Sequence, residues 1–111
     1  MSESPCYEPC GKFGGADSLR LEINPACFYL LAYHHLDMAK FESNQGGDTL
    51  TLSFLNRTVR MTGKNLRRLA IKIQKREVES VKPMPDKYGV LATDEVWIKT
   101  IEIQDEKRIA E

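Results

Sequence analysis

The sequence predicts an α+β fold: an antiparallel sheet of about five to six strands with one main helix packed on one face. Three observations carry this expectation. Residues 49–62 alternate apolar and polar side chains on either side of an Asn56-Arg57 tip, the pattern of a hairpin. Directly afterwards Leu66, Leu69, Ala70 and Ile73 recur at helical spacing. Short alternating or apolar runs at 19–23, 78–82 and 94–104 supply further strands.

Taken in order, residues 1–18 are rich in Ser, Glu, Pro and Gly and hold few apolar groups, so a flexible N-terminal arm is expected there. Leu19-Arg20-Leu21-Glu22-Ile23 reads as a half-buried strand, which Asn24-Pro25 ends. Residues 27–43 fit two readings. As a helix they would gather Cys27, Leu30, Leu31, His34, Met38 and Phe41 on one side. Phe28, Tyr29 and Tyr33 favour a pleated surface instead, and Asp37 and Glu42 would oppose a helix dipole. Extended structure with a kink near His34-His35 is the favoured reading.

Asn44 to Asp48 form a turn on composition. In the hairpin that follows, Leu50, Leu52, Phe54, Val59 and Met61 point to the core. Gly63 ends it, and Asn65 is positioned to cap a helix from Leu66 to Arg76. Pro83 to Asp86 is a loop. In the last strand Val96 and Ile98 share one phase, whereas Ile101 and Ile103 share the other, which implies a bulge near Lys99-Thr100 or burial on both faces around Trp97. The core is expected from Leu50, Leu52, Phe54, Val59, Met61, Leu66, Leu69, Ile73, Val96, Ile98 and Ile101. The domain spans 19–104, with 105–111 as a solvated tail.

Size and charge bound the function. A chain of 111 residues makes one domain with one modest core. The formal net charge is zero, so nothing pulls the whole molecule toward nucleic acid or an anionic membrane. The opening Met-Ser-Glu-Ser-Pro lacks the basic and apolar regions of a secretory signal, and no run is long enough to cross a bilayer. A cytoplasmic protein without membrane contact is expected, and its three cysteines are expected as thiols rather than a disulfide framework.

Between Thr49 and Arg76 stand eight basic residues and no acidic one: Arg57, Arg60, Lys64, Arg67, Arg68, Lys72, Lys75 and Arg76. Lys64, Arg68, Lys72, Lys75 and Arg76 are the candidate nucleic-acid or anion contacts, because a cationic helix face neutralises phosphates and releases counterions. A solvated helix face looks the same in sequence, and no aromatic residue is interleaved to stack on bases. Arg60 projects from the opposite side of the sheet to the helix, so the eight charges divide into at least two sets. Cys6, Cys10, Cys27 and His34 are the candidate metal ligands, at a spacing unlike that of a zinc knuckle. On a strand His34 and His35 would point to opposite faces and act on no common substrate.

No cofactor is expected. Gly63-Lys64 lacks the remainder of a phosphate loop, and Gly11 to Gly15 lacks the dinucleotide spacing.

Three functions compete. The first is a non-enzymatic binding or regulatory module acting through protein contacts or self-association, with Trp97 on the terminal strand as the interface residue. The second is polyanion binding through helix 66–76. The third is a small metal protein or enzyme using Cys27 and His34 or His35.

Overall fold

The computed structural model describes residues 6–11, 14–84 and 95–105. Eight strands, one α-helix and one 3₁₀ turn follow in the order β1 (Tyr7–Pro9), β2 (Ser18–Asn24), β3 (Cys27–Ala32), the 3₁₀ turn (Tyr33–His35), β4 (Leu36–Asn44), β5 (Gly47–Phe54), β6 (Arg57–Lys64), α1 (Leu66–Gln74), β7 (Val78–Val81) and β8 (Trp97–Asp105). The fold is α+β with one helix, as the sequence predicts. The strands make two four-stranded sheets rather than one sheet of five or six, in the orders β1-β7-β2-β3 and β4-β5-β6-β8.

The cause of the split lies at Tyr33–His35. The extended run over 27–43 breaks there, so β3 joins the first sheet and β4 the second. Three bonds hold this corner. The Tyr33 hydroxyl donates to the Val78 carbonyl at 2.7 Å, the Tyr33 N–H to Asp17 at 3.0 Å, and the Leu55 N–H to His35 at 3.0 Å. The corner therefore touches β7, the β2 entry and the hairpin tip at once.

The hairpin forms in the expected register, with Leu50 opposite Met61 and Leu52 opposite Val59. The expected bulge is present too. Thr62 faces Thr100 while Gly63 faces Ile98, so Lys99 is passed over in the ladder. Gly63 is required at this point, because a Cβ there would run into the Trp97 carbonyl.

The helix buries Leu66, Leu69 and Ile73 in the same cluster as Leu50, Leu52 and Phe54, and it meets β5 and β4. All eleven expected core residues are buried. The first sheet adds Leu19, Leu21, Leu31, Val78 and Val81.

Both helix ends differ from expectation. Asn65 adopts a left-handed conformation (φ 59°), and its side chain makes no capping bond. Its amide instead donates to the Glu95 carbonyl at 2.7 Å. The Asp48 carboxylate, from the start of β5, accepts the Leu66 N–H at 3.1 Å in its place.

At the other end Arg76 is left-handed (φ 57°), with its N–H bonded to Ile73 and the Glu77 N–H bonded to Lys72. This is a Schellman closure with arginine where glycine is usual.

The N-terminal stretch is partly built into the fold, unlike the expected arm. β1 pairs with β7, and Cys6 is buried. The Cys6 carbonyl accepts the Lys82 N–H at 2.8 Å and its sulfur accepts the Ile98 N–H at 3.2 Å, which ties the two sheets together. Asp105, expected in the tail, closes β8 and pairs with Arg57 at 2.8 Å. Half of the expected 83–86 loop (from residue 85) and the rest of the tail lie outside the described residues.

Candidate functional site

The five candidate anion contacts do not act as one set. Arg76 is turned to the body of the protein. Its guanidinium donates to the Ala16 carbonyl at 2.9 Å, lies 3.4 Å from the Asp17 carboxylate and sits over the Tyr33 ring. Lys64, Arg68 and Lys75 are exposed and Lys72 is half-buried. The helix N-terminus, where an anion would bind, already faces the Asp48 carboxylate. What survives is a cationic outer helix face around Arg67, Arg68, Lys72 and Lys75, interrupted by the exposed side chain of Ile71.

The candidate metal ligands are not brought together either. Cys6 is in the core, Cys10 is half-buried and Cys27 lies exposed on β3. His34 is on the 3₁₀ turn, where its ring lies 4.3 Å from that of His35. The tight turn thus places the two imidazoles side by side, unlike the opposed pair expected of a strand. Among the described residues no three His, Cys, Asp or Glu side chains converge.

Trp97, the expected interface residue, is only 7% exposed. Its indole N–H donates to the Met84 carbonyl at 2.8 Å, and the Met84 N–H returns a bond to Ile98. The bulge at Lys99 turns this part of β8 inward, so the one tryptophan serves the core.

The apolar surface lies elsewhere, on β3. This strand is an edge of the first sheet, paired to β2 on one side only. Phe28 is 57% exposed, Leu30 61% and Tyr29 37%. Leu31 is buried, so by alternation Phe28 and Leu30 face outward while Tyr29 lies on the core side. The other three edges among the described residues carry features that discourage pairing. β1 is three residues long and holds Glu8 and Pro9. β4 presents Asp37, Lys40 and Glu42, and β8 presents Lys99, Glu102 and Asp105. β3 reads Cys-Phe-Tyr-Leu-Leu-Ala and has neither charge nor proline.

The flanks of this edge are fixed. Arg20 lies opposite Leu30, and Glu22 opposite Phe28. The Arg20 guanidinium bonds Glu22 at 2.8 Å and sits over the Phe28 ring, while Arg57 sits over Tyr29. Each ring thus has a guanidinium over it, Phe28 on the outer face and Tyr29 on the other. No sequence signal beyond an uncharged apolar run separates such an edge from a buried strand, which is why the site was missed at that level.

Surface depressions among the described residues include these two. One is lined by Gly47, Asp48, Thr62, Gly63 and Lys99, the other by Cys10, Asp17, Arg20, Leu30 and Glu79. No helix among the described residues is long and apolar enough to cross a membrane. No family model, curated protein or solved structure matches the chain.

Proposed function

We propose that this chain is a small non-enzymatic binding module that acts through protein–protein contact at the β3 edge. The observation that supports this reading is an exposed edge strand of apolar side chains with none of the charges that guard the other edges. Covering the outward halves of Phe28 and Leu30 contributes about 1–2 kcal/mol each, and backbone pairing fixes the register. The test is the size of the protein in an extract of cells that naturally make it. The wild type is expected to migrate well above the 12.7 kDa of one chain, and Leu30→Lys to return it to that mass. Wild type migrating as a single chain removes the reading.

A second reading, polyanion binding by the helix face, is supported by Arg67, Lys72 and Lys75, which make no ion pair with any described residue. Its signature is retention of a nucleic-acid probe that falls steeply with salt and is lost in Lys72→Glu/Lys75→Glu. Absent or salt-insensitive retention removes it.

A further inference from the structure

We infer that the occupant of the β3 edge is a second copy of this chain, paired antiparallel across a two-fold axis at Tyr29. The inference rests on the reading of β3 as the binding edge and adds the partner and the register. Strand pairing places facing residues on the same side of the joined sheet. A two-fold normal to the sheet that keeps Phe28 and Leu30 outward must therefore pair residues of equal parity. Two such registers lie nearest the middle of the strand, about Tyr29 and about Leu30. The one about Tyr29 sets Tyr29 opposite its own copy, Phe28 opposite Leu30 of the other copy, and Cys27 opposite Leu31, whereas the one about Leu30 sets Phe28 opposite the small Ala32.

The register about Tyr29 is self-complementary in its order of apolar and polar residues, with the Arg20 and Glu22 charges already paired within each chain. On the outer face each cross-strand row reads Glu22, Phe28, then Leu30 and Arg20 of the other copy, following the observed pairs Glu22 with Phe28 and Arg20 with Leu30. The two most exposed large apolar side chains of the strand meet at the centre, and each row ends in opposite charges. That is an apolar middle with a polar rim, the usual anatomy of a specific interface. The strand carries no charge to repel its copy, and the whole chain is neutral, so two copies approach without net repulsion. Isologous pairing closes after two chains and leaves no free β3 edge, whereas a head-to-tail contact would not.

Cross-linking tests both partner and register on purified, full-length protein. In the proposed pair the Tyr29 Cα atoms lie about 4.5–5.5 Å apart, within reach of a disulfide, whereas the two Cys27 residues are offset by roughly 13 Å. Tyr29→Cys in a Cys27→Ser background is expected to give a reducible dimer under mild oxidation. The wild type, through Cys27, is expected to give at least tenfold less. Sedimentation of the wild type is expected at twice the mass of one chain at tens of micromolar, and Leu30→Lys as a single chain. Circular dichroism establishes that each variant is folded, and the cross-link carries the test if Leu30→Lys is not. Cross-linking through Cys27 as fast as through position 29 overturns the register. A monomeric wild type at these concentrations overturns the self-pairing. A monomer when pure that is large in extract fails this inference alone, whereas a single chain in both fails the binding-edge reading as well.

Discussion

Tyr33 shows how one side chain decides the architecture. Its hydroxyl crosses from the 3₁₀ turn to the Val78 carbonyl in β7, at the point where the chain leaves one sheet for the other. Burial holds its pKa above the usual phenol value. The neighbouring Cys10 adds to that, and Arg76 opposes it. A neutral phenol is therefore the form that the fold stabilises. Its contribution is complete below the unfolded value of about 10 and is lost as pH rises toward the higher folded value. Tyr33→Phe leaves the Val78 carbonyl without this donor and is expected to cost about 1–3 kcal/mol at neutral pH. The stability gap between wild type and variant should narrow above about pH 10. A gap that stays constant or widens in alkaline melts would show that the hydroxyl is not the tether. Arg76 makes the complementary point about legibility. Counted among the cations of a basic face, it instead occupies a left-handed helix end and clamps Ala16 and Asp17. Its backbone conformation and its partner sixty residues away leave no periodic trace in the sequence.

Among the elements, those whose apolar period is local were legible. The hairpin, the helix and the phase slip at Lys99 all follow from side-chain spacing within a dozen residues. β1 was not, because Tyr7-Glu8-Pro9 has no periodicity and its extended form depends on pairing with β7, some seventy residues on. The helix start was half legible. A cap was needed, but it comes from Asp48 in β5 rather than from the adjacent Asn65. Asp48 also accepts the Ser43 hydroxyl at 3.0 Å, so it joins the β4–β5 turn to the helix. Asp48→Ala is expected to lower stability by about 1 kcal/mol, with an unchanged denaturant slope. Asn65→Ala should leave the helix end intact and cost only what the Glu95 bond contributes. If Asp48→Ala is neutral in urea unfolding, the cap has been assigned to the wrong residue.

At the scale of the molecule the two sheets share one core, closed by the helix and by Cys6. The sequence indicated the core residues of the second sheet and the helix, but not those that the first sheet contributes. The division into two sheets turns on a three-residue corner fixed by long-range hydrogen bonds. It also decides where apolar surface is left over. Splitting the run at Tyr33 makes β3 and β4 two separate edges, and only β4 carries charges. Trp97 looked like the surface feature because a terminal strand is often an edge, yet the Lys99 bulge buries it. The candidate site thus follows from topology more than from composition.

Amide hydrogen exchange on the purified protein over a range of concentrations tests the covered β3 edge most directly. The amides of β3 that point away from β2 should be protected at tens of micromolar and lose that protection on dilution, while those of β5 and β6 hold at every concentration. Outward β3 amides that exchange at unprotected rates however concentrated the sample would contradict it.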